Sequence, residues 1–142
     1  MSGYSADVGA WSSWFQAAKA RVTDLKPAHE AIGEYVKAEF QANLDGSKGV
    51  DGTFKPLAPA TLTAKRLKYG STPLVKTRKM RNGIRYVVGA TFCDIGSGYR
   101  QSRRVMFGFP EGKTPARNPM FLTDSNKARI NDIYARHIIG VH

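Results

Sequence analysis

No aspartate or glutamate occurs between Asp51 and Asp94, yet that stretch carries Lys55, Lys65, Arg66, Lys68, Lys76, Arg78, Lys79, Arg81 and Arg85. A solvated surface ordinarily mixes both signs. Cations without local counter-ions repel one another and gain from an external polyanion or an acidic subunit face. Cysteine is nearly absent as well, since Cys93 stands alone. That excludes an intramolecular disulfide and a cysteine-built zinc site, and Cys93 itself reads as a small buried hydrophobe on a strand. No apolar run approaches the ~20 residues that span a bilayer. Met1 to Asp7 offers neither a basic n-region nor an apolar h-region, so no signal peptide is expected.

What is present suffices for one domain. A chain of 142 residues can bury a core without metals or disulfides. Its apolar fraction of 42% predicts a fold with a modest core. The formal charge of +11 points to polyanions or acidic protein partners.

Val8, Trp11, Phe15, Ala18 and Val22 recur at three- and four-residue spacing and predict a first helix with one apolar stripe. Pro27 suits the first turn of a second helix. There Ala28, Ile32, Val36, Phe40 and Leu44 run strictly i, i+4, with Leu25 and Tyr35 beside them. Glu30, Glu34 and Lys37 are expected outside, with acidic residues near the helix start suiting its dipole. Residues 45–52 read as a flexible loop. Phe54 to Pro59 reads as an extended anchor, and Thr61 as the cap of a short basic helix ending at Gly70.

Ile84 to Val88 is β-branched and aromatic and predicts a strand; Thr91 to Ile95 predicts its partner, joined through Gly89 and Ala90. Tyr99 to Phe107 is ambiguous between helix and strand. Gly108 to Asn118 reads as a proline- and glycine-rich loop. Thr123 or Asp124 caps a last helix with Ile130, Ile133, Tyr134 and Ile138 on its apolar face. The expected class is α+β: N-terminal helices, one of them long, on a small antiparallel sheet, then an extended loop and a C-terminal helix. The expected division is an N-terminal helical arm, residues 1–24, and a single domain, residues 25–142.

Signals for chemistry are weak. Gly33 stands where a zinc-protease helix beginning at His29-Glu30 needs its second histidine. His29, His137 and His142 are scattered and read as surface residues, not metal ligands. Asp45 and Asp51 lack the calcium-loop spacing. Gly96 and Gly98 lack the nucleotide fingerprint, and no nucleophile stands beside a base. Neither catalysis nor a metal or other cofactor is expected. Lys65, Arg66, Lys68, Lys76, Arg78, Lys79 and Arg81 read as a face toward DNA or an acidic partner. Only Tyr69 and Tyr86 lie near these cations, so stacking on single strands is not indicated. Contact with double-stranded DNA would be non-specific and salt-dependent.

Two segments carry a resemblance. The first is Asp51-Gly52-Thr53-Phe54-Lys55-Pro56-Leu57, followed by Thr61, Lys65 and Leu74. The second is Met106-Phe107-Gly108, a loop, then Thr114-Pro115-Ala116-Arg117-Asn118-Pro119-Met120-Phe121-Leu122. In this order they resemble the virion morphogenesis (tail-completion) family of tailed bacteriophages, and the likeness covers roughly residues 28–139. The chain departs from that pattern at Asn118 and Met120, which interrupt an Arg-Pro-Phe run, and at Phe54, where tryptophan is common. Thr77-Arg78-Lys79-Met80 also replaces a Thr-Gly-x-Leu element.

The resemblance implies a structural, non-enzymatic virion protein of the neck or tail, built while in the host cytoplasm. It implies copies in a ring, expected to be a hexamer, around the DNA path, with head-connector, tail-terminator or tail-tube proteins as neighbours and no membrane partner. The two prolines beside Arg117 hold it extended, with its planar fork available for a carboxylate or carbonyl. Phe109, Lys113, Pro115, Arg117 and Pro119 are the expected subunit or partner interface; the alternative is that Arg117 only caps the domain's own final helix or strand. The alternative reading is a stand-alone basic domain that binds nucleic acid without sequence preference.

Overall fold

Twenty residues from Lys26 to Asp45 form the helix around which the rest of the protein is arranged. The computed structural model describes residues 8–50, 52–54, 79–100, 102–108 and 116–141. Within them the order is α1 (Val8–Thr23), α2 (Lys26–Asp45), β1 (Lys48–Gly49), β2 (Gly52–Thr53), α3 (Lys79–Asn82), β3 (Ile84–Val88), β4 (Cys93–Ser97), α4 (Ser102–Phe107) and α5 (Asp124–Ile139). The class is α+β, with a long helix, a C-terminal helix and two antiparallel two-stranded sheets.

The i, i+4 stripe of α2 is buried along its whole length: Ala28, Ile32, Val36, Phe40 and Leu44. Each large apolar side chain removed from water contributes about 1.5–3 kcal/mol. Phe54, Met80 and Ile84 complete the cluster, with Ile95, Leu122, Ile130 and Tyr134 closing over it. Pro27 lies in the first turn of α2. No acidic residue does, contrary to the dipole expectation. The negative group at this end is Asp24, whose Oδ1 accepts from the Lys26 amide at 3.1 Å.

The β3–β4 hairpin lies against α2. Gly33 is what lets them approach so closely: a Cβ there would stand 2.5 Å from the Tyr86 ring. Tyr86 also donates its hydroxyl to Glu34, and this bond is the main reason its pKa is raised. The second strand begins at Cys93, not Thr91, because the Gly89 amide bonds to the Phe92 carbonyl at 2.9 Å and closes the turn. Cys93 and Ile95 point inward and Asp94 outward, as the alternation requires. Phe92, in the turn just before β4, is about half exposed.

Residues 45–50 and 52–54 are more ordered than a flexible loop. They make a tight hairpin in which Lys48 pairs with Thr53 and Gly49 with Gly52. The ambiguous segment after Tyr99 contains a helix, α4. Thr123 caps α5: its hydroxyl accepts from the Asn126 amide at 3.1 Å, and Asn126 Oδ1 accepts from the Thr123 amide at 2.9 Å. Asn126 Nδ2 then donates to Tyr35 and Glu39 of α2, so the cap also docks the helix.

Two of the three histidines read as surface residues, His29 and His137, need correction; His142 lies outside the described residues. His29 is buried, its Nδ1 lies 2.6 Å from the Gly89 carbonyl, and its ring meets Tyr134 edge-on. His137 is half-buried and ties α5 to the α1–α2 connection through the Arg21 and Asp24 carbonyls. A satisfied imidazole serves here as a crosslink between elements.

The apolar stripe expected to bury α1 does not. Ala17 and Ala18 are half-buried, but Trp11, Trp14, Phe15 and Val22 are exposed. Arg21 Nη1 donates to the Ile138 carbonyl at 2.9 Å, so the C-terminal end of α1 is held on the end of α5.

Candidate functional site

The hairpin after α2 and residues 116–120 lie far apart in the chain and meet in space. At the end of α2, Leu44 is buried and the Ser47 amide turns back to its carbonyl. Ser47 sits at φ 54°, a left-handed conformation uncommon outside glycine. This turn starts β1. Phe54 then returns to the core, its amide bonded to the Ser47 carbonyl at 2.7 Å. Its ring lies so near Gly49 that a Cβ there would stand 3.0 Å away. The Val50 amide bonds to the Asn118 carbonyl at 3.3 Å, joining the hairpin to the segment after the long loop.

That segment is held from three directions. The Arg117 amide donates to the Val105 carbonyl of α4 at 2.8 Å. Asn43 Nδ2 of α2 donates to the Pro119 carbonyl at 2.9 Å. Asn118 Oδ1 accepts from the Met120 amide, a side-chain turn that aims Met120 toward the core. Between hairpin and segment lies a cleft of about 290 Å³, lined by Gly49, Val50, Gly52, Thr53, Phe54, Met106, Ala116, Arg117 and Asn118.

Arg117 and Pro119 were expected at an interface, and both are buried. Burial pushes the Arg117 guanidinium below the usual arginine range, since removing charge from water favours the neutral form. Its role here is to build the wall of the cleft. The fork expected to be available to a partner is buried, on a backbone whose Arg117 amide bonds to the Val105 carbonyl. Phe109, Lys113 and Pro115 lie outside the described residues.

Of the expected basic face, Lys65, Arg66, Lys68, Lys76 and Arg78 also lie outside the described residues. Lys79 is exposed. Arg81 is not a free cation: it is half-buried and its Nε bonds to both carboxylate oxygens of Asp45, at 2.9 and 3.0 Å. Asp45 lies outside the acid-free stretch, so spacing alone could not reveal this counter-ion. A second acid-free stretch, from Asp94 to Glu111, adds the exposed Arg100, Arg103 and Arg104, and Arg85 is exposed with its guanidinium over Gly98.

The Cys93 thiol donates to the His29 carbonyl at 3.6 Å, and burial, with a smaller effect of Asp94, raises its pKa. A neutral, half-buried thiol is a poor nucleophile. Among the described residues, no three His, Cys, Asp or Glu side chains converge as a metal site would require. The cleft therefore offers shape, backbone groups and one buried cation.

Comparison of the chain with protein-family models, with characterised proteins and with solved structures gives no match.

Proposed function

We propose that this chain is a structural protein of a tailed-bacteriophage virion, acting at the head–tail junction or tail end as one protomer of a ring, expected to be sixfold, around the DNA path. The observation that supports this most is the meeting of hairpin and 116–120 segment at one cleft. The described parts of the two stretches that resemble the tail-completion family, Gly52 to Phe54 and Met106 with Ala116 to Asn118, line this one cleft, and the adjoining Val50 bonds to Asn118. Such a protein works through binding energy. A ring closes side-to-side contacts between copies, and exposed cations such as Lys79, Arg85, Arg100 and Arg103 then have DNA or an acidic neighbour to face.

The test is native mass and negative-stain imaging of the purified protein, alone and with tail tubes and connectors from the same virion. Rings seated on tube or connector ends are expected, with little affinity for free duplex DNA. A monomer that ignores those components but binds duplex DNA with steep salt dependence would give the protein to the nucleic-acid reading.

A further inference from the structure

We propose that α1 is a self-association surface on which a second copy of this chain packs its own α1, aromatic face to aromatic face. Trp11, Trp14 and Phe15 form one cluster of rings with centroids 5.2, 6.1 and 6.4 Å apart. All three are 44–60% exposed. They stand on a formed helix whose other end is fastened to α5, so little order remains to be gained on binding. A contiguous exposed aromatic patch marks an interaction site, whereas scattered apolar residues do not.

Charge selects the occupant. Residues 8–18 are the longest uncharged run in a chain of net charge +11. A nucleic acid or an anionic bilayer would find no cation among these rings. Lys19 and Arg21 follow the cluster, and Arg21 is engaged on the Ile138 carbonyl. Two copies of this protein repel each other over most of their surfaces, but here they can meet without bringing like charges together. Three half-exposed rings offer on the order of 300 Å², short of the ~800 Å² per partner in a stable interface. The pairing is therefore weak and reversible. Being two-fold, it closes at two copies. It is separate from the heterologous contacts of a ring and does not depend on the virion reading.

Trp11 and Trp14 are the only tryptophans, so their emission reports on this surface directly. Sedimentation equilibrium and emission spectra of the full chain, taken over a dilution series at low and high salt, form the test. The expected result is a two-fold association whose dissociation shifts emission to the red. It should tighten as salt rises, because salt screens the repulsion between cationic copies. Phe15→Ser should raise the dissociation constant at least about tenfold. Trp11→Ser with Trp14→Ser should abolish pairing while circular dichroism stays unchanged. A protein that is monomeric at every concentration overturns the proposal. So does an assembly of any size whose mass the double variant leaves unaltered, a result that would leave the virion reading standing. A blue shift seen only with anionic vesicles or duplex DNA, on a monomer, also overturns it and assigns the patch to that ligand.

Discussion

Helices α1 and α2 each carry an apolar stripe at helical spacing, and the two stripes have opposite fates. Along α2, Ile32, Val36, Phe40 and Leu44 are 1–7% exposed; along α1, Trp11, Trp14 and Phe15 are 44–60% exposed. Periodicity specifies which residues share a helical face, but not what covers that face. The stripe of α2 is met by the β3–β4 hairpin and by α5, and Gly33 removes the side chain that would hold the sheet away. For α1, the tie to α5 comes through Arg21, with Ala17 and Ala18 half-buried, and leaves the rings outside. An apolar helix face is therefore either core or interface, and only its neighbours decide which.

Substitutions at the two faces should differ in kind. The largest effect is expected for Phe40→Ala, which opens a cavity beneath the hairpin and should cost about 3–5 kcal/mol, measured as a lower urea midpoint with an unchanged slope. A loss under 1 kcal/mol would mean that α2 is not the centre of the fold. Arg117→Ala comes next. Because Arg117 is buried in the cleft wall, the variant should lose about 1–3 kcal/mol of stability. A melting temperature equal to wild type would restore the interface role first expected for this side chain.

Asn126→Ala removes both the reciprocal cap of α5 and its bonds to Tyr35 and Glu39, and should cost about 1–2 kcal/mol. Alkaline pH should act more gently. The folded state raises the pKa values of Cys93 and Tyr134, in both cases chiefly by burial. The folded protein thus holds these protons more tightly than the unfolded chain. This contribution is fully present below the unfolded thiol value of about 8.5 and is lost as pH rises through the higher folded values. Melting temperature should fall as pH rises above about 8.5, and Cys93→Ala should flatten the first part of that fall. Phe15→Ser should do least: within about 0.5 kcal/mol of wild type for the monomer. A large loss of monomer stability there would show that α1 belongs to the core after all.

By itself the sequence determined the α+β class, the span and buried stripe of α2, the strand Ile84–Val88, a cap at Thr123 or Asp124, and Phe54 as an anchor. These follow from interactions within a few residues: side-chain period, β-branched runs, proline and hydroxyl caps. Tertiary structure decided the rest. It turned His29 and His137 from surface residues into crosslinks, gave Arg81 its counter-ion at Asp45, drew Arg117 and Pro119 inward and left the α1 rings outside. Each outcome depends on a partner from another element, Gly89 for His29, Asp45 for Arg81 and Val105 for Arg117, or on the absence of cover. Local pattern carries no information about such distant partners, because burial is a property of what two faces do together.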